Sequence, residues 1–436
     1  MYFHIHLVVI FFCSQIVPTT IAKSYSSHSI TERLHNVALK HSAGLASDLR
    51  VALGGVLLTR RQQPTNSGLQ NRAVYCVSQQ SSKNNGGAQV PLSGGGNGTT
   101  TTIRPSGTSG SGGTATSTTG GSTPSSTSSW TLAEAHQGSS FFDGWDFFTG
   151  SDPTHGDAIF INQSTANSLN LAQINGQGNA VMAVETTPQV AGTRQSVRIT
   201  TQSQFNGGLF IMDAVHMPTG CATWPAFWTN GPNWPTNGEI DIIEGVNNYT
   251  NNQATIHTNP GCSLASSSSS ALAITGTVVG GTDCSAADSG NQGCGMRSPA
   301  NNSFGTGFND IGGGVYAMQW DDSGIAVFFF PRGSVPSDIN AGSPDPSGWG
   351  TPMARWPAAS CNPFQFFKQH SVIFDITLCG DWAGSVWSSS GIPGQEQSCA
   401  QLTGFSTCDA FAQANGASFS EAYWEVSSVK IYQQSS

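Results

Sequence analysis

Beyond Trp130 the chain is a succession of short apolar or alternating runs: Ala158–Ile161, Ala180–Val184, Ser196–Thr201, Gly208–Met212, Val315–Trp320, Ile325–Phe330, His370–Leu378 and Tyr423–Tyr432. Each has strand length, and Gly, Pro and Asn punctuate the intervals. Asp321-Asp322-Ser323-Gly324, between two of these runs, is a hairpin signal. Many short strands with little helix predict an all-β fold, a two-sheet antiparallel β-sandwich. The one helical spacing lies earlier, from Ile30 to Arg61, where Leu34, Val37, Ala38, Leu45, Leu49 and Leu53 recur.

The first third of the chain reads differently. Residues 1–22 have the layout of a signal peptide, an apolar run from Leu7 to Val17 followed by Thr20-Ile21-Ala22; an uncleaved anchor is the alternative. Residues 23–78 form a leading region or propeptide, with Arg60-Arg61 either a processing site or a helix end. Residues 79–129 are rich in Ser, Thr, Gly and Asn and bury too little to offset chain entropy, so a disordered, O-glycosylated linker is expected. Residues 130–436 then make the folded domain, enough for one large core. No apolar tail at the C-terminus suggests a lipid anchor. The expectation is a monomer that is secreted, extracellular or wall-associated, with no membrane span once mature.

Cysteine usage agrees with export. Of ten cysteines, Cys13 lies in the signal segment and Cys76 in the leading region, leaving eight in the folded domain. An even set in an oxidising compartment predicts disulfides, and the spacing lacks the close pairs of a zinc site, so neither metal nor cofactor is expected. A net charge of −9 with only 16 Lys and Arg argues against nucleic acid. Charged residues make up 9% of the chain, against about a quarter in ordinary soluble proteins, which suits an uncharged, hydroxyl-rich substrate. Sequons stand at Asn97, Asn162, Asn248 and Asn301.

Against that background the run Glu239-Ile240-Asp241-Ile242-Ile243-Glu244 stands out, three acids in six residues of a chain with only 25 Asp and Glu. In a strand, Glu239 and Asp241 share one face and Ile240 and Ile242 the other. Glu244 is out of phase unless a β-bulge at Ile242-Ile243 restores it. In a helix, positions 239 and 241 would lie about 200° apart. Two carboxyls flanking a bond with a third between them are equipment for cleaving a glycosidic linkage. An edge strand with an acidic solvent face would read the same way. Upstream, Trp224, Trp228 and Trp234 sit among Pro and Gly, where a continuous core strand is not expected and a cleft wall is. Flat amphipathic rings suit the apolar faces of sugars, although Phe227 and one of the indoles also fit core packing.

The segment Asn237-Gly-Glu-Ile-Asp-Ile-Ile-Glu-Gly-Val246, with Trp224-Pro-Ala-Phe-Trp228 before it and Ala254-Thr-Ile-His257-Thr after it, resembles the fungal laminarinase-type enzymes of glycoside hydrolase family sixteen. Asp152-Pro-Thr-His155-Gly, Ser196-Val-Arg198-Ile, Gly380-Asp381-Trp382-Ala-Gly and Val429-Lys-Ile-Tyr432 extend the resemblance from Ser128 to Gln434. Ser263–Ser270 reads as a loop insertion. The resemblance implies a jelly roll whose concave sheet forms an open cleft for attack inside a β-glucan. It also implies Glu239 as nucleophile, Glu244 as general acid then base, and Asp241 as the acid that orients Glu239. Trp224, Trp228, Trp234 and Trp382 are the candidate sugar platforms, with Arg198 and His257 as hydrogen-bonding partners. Each of these two also has a plain reading, as a solvent-facing arginine and a satisfied polar histidine. Five residues of strand span roughly 16 Å, or about 13 Å with a bulge, whereas retaining glycosidases hold their carboxyls about 5 to 5.5 Å apart. The two Glu side chains must therefore lean together. Crowding predicts that one pKa rises and keeps Glu244 protonated, with an acidic activity optimum. Three functions are compatible with these residues: a retaining endo-β-1,3(4)-glucanase, a transglycosylase using the same intermediate, and a glucan-binding lectin, for which intact acids are unnecessary.

Overall fold

The computed structural model describes residues 128–434. The expected signal segment, leading region and linker, the helical spacing from Ile30 to Arg61, Cys13, Cys76 and Asn97 all lie outside the described residues.

Two large antiparallel sheets stack into a jelly-roll sandwich. One carries the acids. Its central strands are β1 (Arg198–Thr201), β2 (Thr223–Asn230), β3 (Glu239–Glu244), β4 (Gln253–His257), β5 (Cys294–Arg297) and β6 (Ser371–Leu378). Their order across the sheet is β5-β4-β3-β2-β6-β1, with Thr277–Gly280 outside β5 and Trp145–Phe147 outside β1. The acid-bearing strand is therefore interior, which removes the edge-strand alternative. The second sheet is built from residues 172–174, 180–183, 208–216, 314–321, 324–331, 354–357 and 423–434, with 130–137 also pairing with the last.

Between the sheets pack Ile240, Phe227 and Phe374 from one side and Phe210, Met212, Tyr316, Met318 and Trp424 from the other, all but inaccessible. Phe227 lies 4.6 Å from Phe374, which meets Trp424 edge-on at 5.4 Å. Truncating such a ring to alanine would cost about 3–5 kcal/mol. The run Gly208–Met212 is apolar without alternation because its strand is covered twice. Phe210 and Met212 face the main core, while Leu209 and Ile211 join Trp130, Val315, Ala317 and Phe328 in a second cluster. The hairpin falls at Asp321 and Gly324, which pair directly.

Two expectations need revision. Thr223–Asn230 is a continuous interior strand despite Pro225. Pro225 is tolerated because pairing with β3 begins only at Ala226, so its missing N–H removes no bond from that ladder. The run Ser196–Thr201 is two strands split at Val197. Arg194–Ser196 pairs in parallel with Ala158–Phe160, whereas Arg198–Thr201 joins the acid-bearing sheet. The Ser-rich stretch 263–270 runs into a helical turn, Ser269–Leu272, capped by the Ser268 side chain.

All eight cysteines of the described residues pair: Cys221–Cys399, Cys262–Cys361, Cys284–Cys294 and Cys379–Cys408. No helix among the described residues is long and apolar enough to cross a membrane.

Candidate active site

Register builds the site. On β2, Thr223, Pro225, Phe227 and Thr229 turn inward while Trp224, Trp228 and Asn230 are partly exposed on the opposite face. Asn230 stands opposite Glu239, Trp228 opposite Asp241 and Ala226 opposite Glu244. Directly opposed residues share a face, so all three acids share the face of the tryptophans. Phe227 pairs with Ile243 and Trp228 with Asp241, leaving Ile242 as the extra residue of a bulge. Ile240, Ile242 and Ile243 are all fully buried.

The bulge breaks the ladder and leaves backbone groups to satisfy. Asn252, itself inaccessible, does this with its side-chain amide. Its Oδ1 accepts the Glu244 N–H at 3.0 Å and its Nδ2 donates to the Ile242 carbonyl at 2.9 Å. The Asn252 N–H donates in turn to Ser303 Oγ at 2.9 Å. Before β3, Gly238 turns the chain with φ of +77°, and a Cβ there would come within 2.3 Å of the Phe367 ring. His370 braces this turn: its Nε2 lies 2.7 Å from the Asn237 carbonyl and its Nδ1 2.8 Å from Thr229 Oγ1. Burial lowers the His370 pKa to about 4, so the brace is a neutral imidazole.

Around the acids, each indole has its own position. Trp224 donates its Nε1–H to Glu244 Oε1 at 2.8 Å and meets Trp382 edge-on at 5.9 Å. Trp228 donates to Asp375 Oδ1 at 2.7 Å. Trp234, on the loop leading into β3, lies near enough to Glu239 to favour its anion and is 46% exposed, the most accessible flat surface of the four. Trp382 is half-buried against the core at the Trp224 end. Arg198 is not a free surface cation: its guanidinium lies 5.0 Å from the rings of both Phe148 and Trp228, and it pairs in register with Asp375. His257 stands opposite Glu239, with Nε2 3.4 Å from Asp241 Oδ2 and 4.0 Å from Glu239 Oε1. Asp241 Oδ2 and His257 Nδ1 are buried without a hydrogen bond, so the His257–Asp241 contact is a close approach rather than an aligned bond.

Burial dominates the electrostatics. It pushes the Glu239 carboxyl up to about 8, helped by the charge of Asp241 and opposed by His257, the Trp234 indole and Arg198. Burial and the charge of Asp375 raise Asp241 to about 8, against a hydrogen bond with Glu239. Glu244 is raised well above the usual carboxylate range by burial and by Asp241; Trp224 and His257 oppose this and Glu239 adds to it. Glu239 still exposes 18% of its side chain, so the cleft reaches it, whereas Asp241 exposes 4%. Three mutually repelling acids cannot all ionise together. Glu239 has the larger set of cationic and donor neighbours, so it ionises before Glu244.

Two members of the site were not singled out from the sequence. Asp375 is 8% exposed, stands opposite Ala226, and is raised to about 7 by burial against the pull of Arg198. A lone acid within Ser-Val-Ile-Phe-Asp-Ile-Thr-Leu was the available signal. Asn252 left none, because an Asn in Asn251-Asn252-Gln253 looks like any turn.

Comparison with known proteins matches residues 145–432 to the XgeA-like catalytic GH16 domain. The chain is 45% identical over 314 residues to a probable endo-1,3(4)-beta-glucanase of Aspergillus niger, covering 71% of this chain and 41% of that protein. It is 40% identical to the endo-1,3(4)-beta-glucanase xgeA of Emericella nidulans, covering 70% of this chain and 48% of the relative. The chain thus spans less than half the length of these two relatives. Among solved structures, laminarinase 16A of Phanerochaete chrysosporium, with 6-O-glucosyl-laminaritriose in donor and acceptor sites, is similar at 34% identity and TM-score 0.62, covering 70% of this chain and 99% of that one. A GH family 16 elongating beta-1,3-glucosyltransferase is similar at 38% identity and TM-score 0.62, covering 70% and 100%.

Proposed function

Since the chain belongs to glycoside hydrolase family 16, in its XgeA-like group, we propose that it is a secreted, endo-acting, retaining β-glucanase. Its proposed substrates are β-1,3-glucans, including mixed 1,3/1,4 or branched 1,3/1,6 chains. The observation that carries this reading is the bulge at Ile242, which turns Glu239, Asp241 and Glu244 onto one face among four indoles. A deep, partly dewatered floor with an open side suits a neutral polymer whose sugars stack on rings. The homologues' names and the glucan-bound laminarinase support the substrate class. Four disulfides among the described residues support export.

In the proposed mechanism ionised Glu239 attacks the anomeric carbon while protonated Glu244 donates to the leaving oxygen. Glu244 then takes a proton from water as water displaces Glu239. Buried Asp241 holds the proton of its bond to Glu239 and fixes the nucleophile's rotamer. His257, Arg198 and the Trp234 N–H lie where they favour the Glu239 anion. Trp224 holds the Glu244 carboxyl through its indole N–H.

A second reading, transglycosylation, is favoured by the likeness to the elongating glucosyltransferase. It differs only in the acceptor, a sugar hydroxyl in place of water. Laminarin incubated with the full chain and resolved by chain length separates the two: shorter oligosaccharides for hydrolysis, longer chains for transfer. Proton NMR of the first products should show the β-anomer. Undiminished turnover by Glu239→Gln would overturn both.

A further inference from the structure

We propose that Glu239, Asp241 and His257 also form a binding site for a divalent transition metal, selective for Cu2+ and Zn2+, at which the metal excludes glucan. The exclusion rests on the glycosidase reading above; the binding does not. One donor atom from each of the three side chains falls in a cluster no more than 4.8 Å across. Metal bonds of about 2.1 Å meeting at the tetrahedral angle separate their ligand atoms by about 3.4 Å. His257 Nε2 and Asp241 Oδ2 are 3.4 Å apart, and His257 Nε2 and Glu239 Oε1 4.0 Å. Glu239 faces the open cleft and can close the longer edge by a small rotation. Asp241 is 3% exposed and its Oδ2 has no hydrogen-bond donor, so a lone pair already points into the cluster unclaimed. At the cleft the remaining metal positions are open to water, and the hydrated ion takes the space that a sugar would occupy beside Glu239.

The donor set decides which ions bind and how firmly. One imidazole with two carboxylates favours Cu2+ over Zn2+ and both over the harder ions, which require more oxygens than this site offers. Nε2 ligation leaves the proton on His257 Nδ1, which is buried with no acceptor behind it. Resident metal centres place a carboxylate or carbonyl there. Its absence makes this a reversible trap rather than a structural or catalytic centre. The other candidate cluster, Asp157, Cys379 and Asp409, is different: Cys379 is committed to its disulfide with Cys408.

Calorimetric titration of the full chain with CuCl2 and with ZnCl2, before and after adding laminari-oligosaccharide, tests the site beside the steady-state hydrolysis of laminarin. The expected result is inhibition competitive with glucan and reversed by EDTA, Cu2+ acting at lower concentration than Zn2+ and Mg2+ having no effect. In His257→Gln one bound Cu2+ per chain should disappear, or its affinity fall at least about tenfold, with the folded far-UV spectrum retained. Asp241→Asn, which keeps shape and removes one ligand charge, should weaken the same binding event. Unchanged Cu2+ binding in both variants, or binding indifferent to oligosaccharide, would overturn the proposal. A chain without hydrolytic activity that still loses one Cu2+ equivalent in His257→Gln would refute the glycosidase reading and leave the metal site standing.

Discussion

Replacing Asn252 with alanine removes both bonds that close the bulge of β3. The Glu244 N–H and the Ile242 carbonyl then remain buried without partners. Each unsatisfied buried backbone group costs about 1–3 kcal/mol, so the pair comes to about 4 kcal/mol, less whatever a water entering the vacated space recovers. We expect a loss of about 3 kcal/mol, read as a lower urea midpoint at unchanged slope. The kinetic effect should be larger in kcat than in KM. The indoles stay on their strands and loops, whereas a displacement of about 1 Å in a reacting group can cost about 100-fold. Asn252→Asp keeps the acceptor for the Glu244 N–H but sets a carboxylate oxygen against the Ile242 carbonyl. That variant should recover in part at low pH, where the protonated acid can donate to the carbonyl. A stability change for Asn252→Ala within about 0.5 kcal/mol, with wild-type kcat, would refute the view that this amide holds the bulge.

Two further outcomes follow from the same site. Asp241 has a folded-state pKa raised to about 8 from an ordinary 3.8, so its contribution to stability is complete when protonated, below pH 4, and is lost as pH rises through about 8. Asp241→Asn should therefore be more stable than the parent at pH 7, on the order of 3 kcal/mol, with the gain vanishing near pH 4; equal effects at both pH values in denaturant titrations would contradict this. The pH profile of kcat/KM should be bell-shaped, its acid limb reporting ionisation of Glu239 and its alkaline limb loss of the Glu244 proton. Because burial raises both groups, Glu239 to about 8 and Glu244 well above the usual carboxylate range, the optimum should move from the acidic range suggested by crowding alone to about pH 8 or above. A maximum below pH 5 would refute that shift.

Much of the chemistry is written locally. Alternation of Glu239 and Asp241 with isoleucine identifies a strand, and the misplaced Glu244 demands a bulge, because side-chain direction in a strand depends only on the parity of position. Paired cysteines and recurrent turn residues are legible for the same reason, since their consequences act within a few residues or through covalent chemistry. Other features depend on distant neighbours. Pro225 is acceptable in an interior strand only because β3 ends beside Ala226. Val197 divides one apolar run between two sheets. Asp375 and Arg198 meet only when β6 and β1 pair. Asn252 matters only because folding carries its amide to the broken ladder. The sequence by itself determined which groups are candidates for the proposed reaction and that they lie on a strand. Tertiary structure alone decided their protonation, since desolvation and the approach of like charges depend on atoms brought together from across the chain.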